Sequence, residues 1–346
     1  MRRAALRAQT VVTRCSIIAT RHGGRLEAVE RKIFGIGLTI LLSSTAPGFA
    51  QQRTPDGRPD FQGTWNSASL TPLQRPIELG AKEFYTEQEA AAYEKKRVQD
   101  LDRDRRDGSK EEDLGRSYNE LFYDRGTRLA RSRRTSMVID PPDGRIPAMT
   151  PEARAKFQAW QASFAKHPAD RAQDRPLPDR CLVFSQSGPP MIPGNYNNYY
   201  QIVQTRDFLT ILAEMGGQVR TIPLDGRAAP PDAVRQWMGV PRGHWEGDTL
   251  VIESTNFRFN ERSRFGVQYD GMTDQNLRIV ERFTRTADSI VYRATIDDPT
   301  VYTRPWTMEA SLEKAAGMIY EYACHEGNYA MTGVLSGARA QEKDSK

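Results

Sequence analysis

Two histidines are the candidate acid–base groups of this chain. His325 and Glu326 follow residues 319–324, where tyrosines and alternating polarity predict a β-strand. His244 lies beside Trp245 in one arm of a predicted hairpin. Imidazole titrates near neutral pH and therefore suits proton transfer, so both histidines are candidate bases, and Glu326 is a candidate substrate-binding residue. The alternatives are that His325 caps its strand or hydrogen-bonds to the backbone, that Glu326 caps the final helix, and that His244 packs on Trp245.

An aromatic-amide cluster supplies candidate acids and hydrogen-bonding groups. Residues 196–200 are Tyr-Asn-Asn-Tyr-Tyr, and two adjacent asparagines are poor strand formers. Phenols donate protons or stack, amides orient oxygen atoms, and such clusters suit aromatic or sugar ligands. The alternative is an ordinary strand start with half-buried tyrosines. The candidates are Tyr196, Asn197 and Asn198 for substrate binding and Tyr199 for catalysis, together with the more distant Tyr322.

Two charged residues flank this cluster. Arg180 is a candidate carboxylate clamp, because a guanidinium binds a carboxylate through two parallel hydrogen bonds; an internal ion pair is the alternative. Alternation places Glu214 on the same strand face as Phe208, Thr210 and Leu212. There the carboxylate is either at a sheet edge in water or in a polar pocket, where it would act in catalysis by orienting a histidine.

The cysteines bear on the redox compartment and on metal chemistry. Cys15 lies in the predicted leader, which leaves Cys181 and Cys324. Two cysteines in an exported protein predict one disulfide, with two free thiols as the alternative. The sequence contains no CxxC, HExxH or GxSxG motif and no phosphate-binding glycine loop. We therefore expect neither a metal nor an organic cofactor.

Residues 1–50 have the pattern of a secretory signal peptide. Arg31 and Lys32 precede an apolar run over residues 33–42, and small residues then lead to Ala50. The run is too short to span a bilayer. We expect cleavage near Ala50 and a periplasmic or secreted protein without an integral membrane span after processing; a buried N-terminal helix is the alternative.

The charge distribution argues against a nucleic-acid partner. The net charge of +5 is concentrated in residues 1–50, which hold eight Lys and Arg against two Asp and Glu. The rest of the chain is close to neutral, so it has no basic surface of the kind that binds nucleic acid.

Helix signals precede residue 196 and strand signals follow it. Thr86 and Glu89 form a capping box, and Thr150-Pro151 is a typical helix start. A short helix is predicted over residues 230–238, and a closing helix ends near Gly337.

Eight or nine short strands are predicted after residue 196. They indicate a mainly β fold, an antiparallel lipocalin-like barrel of about eight strands that can hold one small ligand. We expect a single domain over residues 51–346. Residues 51–195 form its helical and irregular N-terminal wrap, and residues 196–346 form the barrel and the closing helix.

Four motifs carry a family resemblance: RRTSMVIDPPDGRIPAMTPEA (133–153), NNYYQIVQT (197–205), GHWEGDTL (243–250) and YEYACHEGNYAM (320–331). In them the chain resembles a large family of exported bacterial proteins, over most of residues 55–342. It is also similar to cofactor-independent carbon–carbon lyases of sphingomonad lignin breakdown. Those lyases act on phenylcoumaran-type aromatic dimers and release CO2 or formaldehyde.

The resemblance implies a lyase whose partner is a small aromatic substrate. Deprotonation of a phenol opens the dihydrofuran ring to a quinone methide, and the side chain then leaves as a one-carbon fragment. This chemistry needs a base, an acid and phenolate stabilisation. On the residues alone, either histidine is the base, Tyr199 or Tyr322 is the acid, and Arg180 with the asparagines orients the substrate. A non-catalytic periplasmic barrel that binds an aromatic or sugar ligand is the alternative, and homo-oligomerisation stays open.

Overall fold

A computed structural model describes residues 52–116, 119–258, 275–326 and 328–344. The predicted signal peptide over residues 1–50 lies outside the described residues, as does most of a polar loop between residues 258 and 274. No helix in the described ranges combines the length and the apolar character needed to cross a membrane.

Ten β-strands form one sheet, and nine of them follow one another in hydrogen-bonded order, β5-β4-β3-β1-β10-β9-β8-β7-β6. All pairings are antiparallel, and β2 pairs with β10 outside this path. The strands are β1 (Gly63–Asn66), β2 (Val138–Asp140), β3 (Tyr199–Gln204), β4 (Phe208–Ala213), β5 (Gln218–Pro223), β6 (Val240–Glu246), β7 (Thr249–Thr255), β8 (Arg278–Arg285), β9 (Ser289–Asp297) and β10 (Trp306–Lys314).

The two end strands of this path approach each other through side chains. A Cβ atom on Gly243 of β6 would clash with Leu224, just after β5, and lie 3.0 Å from Ile222 Cγ2. The sheet is therefore a nearly closed antiparallel barrel, which confirms the predicted fold class. Eight strands follow residue 196 as predicted, and β1 from the N-terminal third adds the ninth strand of the path.

The barrel interior is packed with side chains. In β4, Leu209, Ile211 and Ala213 are buried and the intervening residues are half-buried, as the alternation predicted. Aromatic rings fill much of the remaining space, and burial of each such ring contributes about 2 kcal/mol. The largest fully buried side chains include Trp65, Trp306, Tyr200, Tyr292, Phe61 and Phe283.

A buried ion pair crosses this interior. Arg220 of β5 donates from both terminal nitrogens to Glu281 of β8, at 2.8 and 2.9 Å, and both side chains are almost completely buried. The Tyr292 hydroxyl of β9 donates to the same carboxylate at 2.9 Å. Burial, followed by the charge of Glu281, raises the pKa of Tyr292 well above its usual value.

The proline-rich connector before β3 packs against buried residues of the barrel. Residues 183–192 are buried almost throughout. The backbone N–H of Met191 donates to the Tyr292 hydroxyl at 2.9 Å, and the Tyr200 hydroxyl donates to the backbone carbonyl of Gln186 at 2.9 Å. These hydrogen bonds fix the connector to β3 and β9.

The longer helices lie outside the barrel. They are α1 (Glu87–Leu101), α2 (Lys110–Gly115), α3 (Pro151–Lys166) and α4 (Ala330–Asp344). The predicted capping box of Thr86 opens α1, and Thr150 caps α3 with Pro151 at its first position. The closing helix α4 extends past its predicted end near Gly337.

Two predicted elements are wrong. Residues 230–238 form turns instead of a helix. The backbone N–H of Gln236 donates to the backbone carbonyl of Asn256, just after β7, and this bond replaces a helical one. Residues 319–324 form no strand. The edges of β10 already pair with β9 on one side and with β1 and β2 on the other, so this barrel strand has no edge left for them.

Candidate functional site

A surface cleft of about 350 Å³ lies beside the disulfide between Cys181 and Cys324, with Cys181 in its lining. The disulfide is the one that the cysteine count predicted, and it places Arg180 and His325, the neighbours of the two cysteines, in one cleft. The lining residues are Ala172, Asp179, Arg180, Cys181, Leu182, His325, Asn328 and Met331. The structure thus brings together one predicted catalytic residue and one predicted substrate-binding residue.

A tight turn in the proline-rich connector positions Arg180. The Arg180 and Leu182 amides both donate to the Leu177 carbonyl, at 3.2 and 3.0 Å. Cys181 has a φ of 55°, a left-handed conformation that side chains rarely adopt. The Arg180 guanidinium carbon then lies 5.8 Å from the centre of the Trp237 ring. A contact of this kind restricts the orientation of a guanidinium.

His325 belongs to the irregular segment that replaces the predicted last strand. The Tyr320 amide donates to Glu214 Oε1 at 3.1 Å, and the Tyr322 ring packs edge-on against Phe184 with 5.7 Å between centroids. Asn328 Nδ2 lies 3.4 Å from Cys181 Sγ. His325 itself is exposed. Side-chain contacts and the disulfide, rather than a sheet, therefore fix the place of this imidazole.

A second cleft, of about 310 Å³, contains the Trp237 ring that Arg180 approaches. It is lined by Arg235, Gln236, Trp237, Met238 and Arg258. The Arg258 guanidinium carbon lies 4.6 Å from the Trp237 ring centre. Trp237 lines the second cleft and contacts one arginine from the lining of each cleft. We call the surface that consists of Trp237 and the residues lining the two clefts the Trp237 groove.

Sequence reasoning missed Trp237 and Arg258. Their signals were weak, because Trp237 fell in a predicted helix and Arg258 at the start of a polar loop. The turn structure of residues 230–239 and the contact of Gln236 with Asn256 bring the two residues together.

His244 lies apart from this groove. Its side chain is 59% exposed on β6, and Nε2 lies 3.3 Å from Glu246 Oε1. Glu246 also accepts from Arg282 at 2.8 Å. Arg282 and then His244 hold the pKa of the Glu246 carboxyl below its usual range. His244 is thus one member of an exposed charge network, and it is not among the residues that line either cleft.

Glu214 lies at the end of the barrel instead of on the predicted strand face. The strand β4 ends at Ala213, and Glu214 turns into a helical conformation with φ −58° and ψ −46°. Its carboxylate is buried and accepts from the Tyr320 amide, so it supports the segment that carries His325. The prediction that Glu214 shares a face with Phe208 is therefore wrong.

A half-buried carboxyl, Asp124, lies near Glu214. Burial, with a smaller contribution from the Glu214 charge, raises the pKa of Asp124, and a hydrogen bond with Asn66 opposes the shift. The two acids and Asn66 form a polar cluster at the start of β3. Tyr199 is paired with Asn66 in the sheet register and is half-buried.

The amide cluster serves mainly to shape its own loop. The side chain of Asn198 is fully buried. Its Oδ1 accepts from the backbone N–H of Gly194 at 2.7 Å, and its Nδ2 donates to the backbone carbonyls of Asp124 and Gly194 at 2.6 and 3.0 Å. Asn197 has a φ of 54°, which asparagine tolerates better than most residues.

Other predicted site residues lie outside both clefts. Tyr196 is 38% exposed and meets Tyr123 edge-on, with ring centroids 6.4 Å apart. Glu326 is exposed beside His325. Neither of them, nor Asn197, Asn198, Tyr199 or Tyr322, lines the described clefts on the two sides of Arg180.

Comparisons with protein-family models, curated proteins and solved structures found no match to this chain. Within the described ranges, His, Cys, Asp and Glu form no group of three or more that could hold a metal ion. The geometry of the Trp237 groove therefore carries the functional assignment.

Proposed function

We propose that the protein is a cofactor-independent carbon–carbon lyase that acts on a carboxylated, lignin-derived phenylcoumaran-type aromatic dimer and releases CO2. The observation that carries the proposal is that His325 and Arg180 line one cleft. An imidazole, a guanidinium and the indole of Trp237 are the groups that such a substrate requires: a base, a carboxylate ligand and an aromatic contact.

His325 is the proposed base. It removes the proton from the phenol, and the phenolate expels the oxygen of the dihydrofuran ring, which gives a p-quinone methide and an aryloxide. The exposed position of His325 gives a substrate direct access to the imidazole. The imidazolium then returns its proton to the aryloxide.

Loss of CO2 follows from the same intermediate. The bond breaks between the carboxylate and the side-chain carbon that belonged to the dihydrofuran ring. Its electron pair forms the new carbon–carbon double bond next to the quinone methide ring, and that ring becomes an aromatic phenolate again. Water supplies the second proton, so the products are CO2 and a stilbene with two phenols. No electrons leave the substrate, and the reaction therefore needs no redox cofactor.

The guanidinium in the His325 cleft favours a carboxylated substrate over a hydroxymethylated one. Arg180 lines this cleft, and a guanidinium binds a carboxylate through charge-assisted hydrogen bonds that a neutral hydroxymethyl group cannot form. We accordingly propose CO2 release and not formaldehyde release. Export to the periplasm or beyond, as the sequence of residues 1–50 suggests, would expose the groove to soluble aromatic fragments.

The test is incubation of the purified protein with matched carboxylated and hydroxymethylated dimers, followed by mass spectrometry of the products. We expect loss of CO2 from the first and little reaction of the second. His325→Ala should lower turnover by about 100-fold or more, as expected for loss of a general base. His244→Ala is the matched control and should retain turnover. Full activity of the His325 variant would exclude the assignment.

The second candidate is a non-catalytic protein that binds an anionic aromatic ligand. The dispersal of His244, Glu214 and Tyr199 away from His325 favours it, because a binding site needs no set of acids and bases. Binding of both dimers without any product, with affinity that falls in Arg180→Gln, would support this alternative over the lyase.

A further inference from the structure

Another surface cleft, of about 190 Å³, lies at the C-terminal end of α1 and is rich in arginine. Among the described residues it shares no lining residue with the Trp237 groove. A site in this cleft would therefore be independent of the proposed lyase. The lining residues are Asp100, Leu101, Asp102, Arg103, Arg116, Tyr123, Arg125 and Asn195.

The ring of Tyr123 contacts two of these arginines. The guanidinium carbon of Arg125 lies 3.9 Å from the ring centre, and that of Arg103 lies 5.8 Å from it. Arg125 Nη1 also donates to the backbone carbonyl of Leu101 at 2.7 Å, and Arg103 Nη2 donates to the backbone carbonyl of Gly115. The ring and these bonds hold both guanidiniums beside one cleft.

Each of the two guanidiniums has one N–H donor that lacks an acceptor. The Nε atoms of Arg103 and Arg125 are both buried, and neither has a hydrogen-bond partner among the described residues. Glu120 Oε2 lies 3.6 Å from Arg125 Nη2, which is beyond hydrogen-bonding distance. A buried donor without an acceptor is costly, and an ion that supplies an oxygen atom removes the cost.

The two guanidiniums also repel each other. Burial lowers the pKa of Arg125, the charge of Glu120 opposes this shift, and the charges of Arg103 and Arg97 add to it. An anion between Arg103 and Arg125 would stabilise both cations. The repulsion and the two Nε donors are separate observations, and both favour an anion in this cleft.

The other charged groups of the cleft already have partners. Arg116 Nη1 lies 3.3 Å from Asp107 Oδ1, and Asp100 forms an ion pair with Lys96. Asp102 Oδ1 accepts from the backbone N–H two residues later at 2.8 Å. Binding of an anion would therefore depend on Arg103 and Arg125, and the charge of Asp102 would keep its affinity modest.

We infer that this cleft binds a small tetrahedral oxyanion, phosphate or sulfate, between Arg103 and Arg125. A rotation of each guanidinium brings its Nε to an oxygen atom of the anion. A tetrahedral ion presents oxygen atoms in several directions and so accepts from two side chains at once. Tyr123 is a positioning residue, because it acts through the two guanidiniums.

The test is isothermal titration calorimetry of the purified protein with phosphate and with sulfate, at an ionic strength matched with sodium chloride. We expect both anions to bind and added salt to weaken both, since the cleft is open to solvent. Phenyl phosphate distinguishes two sources of the oxyanion. Affinity equal to or above that of phosphate indicates an ester group on a larger molecule, and lower affinity indicates the free ion.

Variants locate the site. Arg103→Gln and Arg125→Gln should each lower the affinity for phosphate by about tenfold or more, because each loses a charge-assisted hydrogen bond. The two variants test the site independently if one of them fails to fold. Arg97→Gln is the matched control: it removes an exposed cation near Arg125 that does not line the cleft, and it should retain most of the affinity.

Tyr123 gives a further test. Tyr123→Leu should lower the affinity for phosphate, and Tyr123→Phe should restore it, because the ring and not the hydroxyl contacts the guanidiniums.

Two outcomes would overturn the inference: no binding of either anion to the wild-type protein, or a loss in Arg97→Gln as large as in Arg103→Gln and Arg125→Gln. The second would show a general effect of surface charge instead of a site. Neither outcome bears on the lyase, since its proposed groups lie in another cleft.

Discussion

The barrel interior and the Trp237 groove use arginine in opposite ways. In the interior, Arg220 is buried and forms a two-point hydrogen-bonded pair with Glu281. In the groove, Arg180 and Arg258 lie over an indole ring and remain partly accessible to solvent. A guanidinium paired with a buried carboxylate is committed to the fold, whereas one beside a half-buried indole at the surface lies where a ligand can reach it. The contrast separates a structural region from a recognition region.

The largest effect should come from breaking the interior pair. Glu281→Ala leaves the Arg220 charge and the Tyr292 hydroxyl buried without their shared partner, and we expect the free energy of unfolding to fall by about 3–5 kcal/mol. Chemical denaturation measures this change. Glu253→Ala removes a pair with Arg278 that is exposed, and it should cost at most about 1 kcal/mol. The double variant Arg220→Met/Glu281→Leu should recover most of the stability that Glu281→Ala loses. Similar losses in Glu281→Ala and Glu253→Ala would contradict the structural role of the buried pair.

Removal of the disulfide should have the next largest effect. Cys181→Ala/Cys324→Ala frees a link across 143 residues, and we expect a loss of about 2–4 kcal/mol in unfolding free energy. The same variant should bind the carboxylated dimer more weakly, because Arg180 and His325 are no longer tied together. Unchanged affinity alongside lower stability would show that the disulfide holds the fold but not the groove.

Asn198 should matter more to the fold than its neighbour. Asn198→Ala leaves the Gly194 amide and the Asp124 carbonyl without their partner, and it should lower the free energy of unfolding by about 1–3 kcal/mol. Asn197→Gly is the matched control, because glycine adopts a positive φ freely, and it should be near neutral. A larger cost at position 197 would point to a ligand or packing role there.

The smallest predicted effect is a pH-dependent one at Asp124. Its pKa is raised in the folded protein, so folding favours the protonated carboxyl. The stabilisation is fully present below the ordinary carboxyl pKa and is lost as the pH rises through the folded value. Asp124→Asn should therefore raise the unfolding midpoint at neutral pH more than at acidic pH. Thermal scans at the two pH values measure the difference, and an equal shift at both would refute the raised pKa.

Local signals in the sequence were sufficient for much of the barrel. Most of the strands predicted after residue 196 are present as β3 to β10, because alternating β-formers between turn residues specify such elements locally. Thr86 and Thr150 likewise mark helix starts through hydrogen bonds within one turn. The candidate site was only half predictable, since Arg180 and His325 stood out by residue type but Trp237 did not.

The sequence alone determined the antiparallel barrel, the helix caps and the Cys181–Cys324 link, since each depends on local patterns or on cysteine number. Tertiary structure decided the rest. Residues 319–324 form no strand because the edges of β10 pair with other strands, and that leaves His325 on an irregular segment. Only the folded chain brings Trp237 between Arg180 and Arg258, because no local pattern encodes a contact across such separations in sequence.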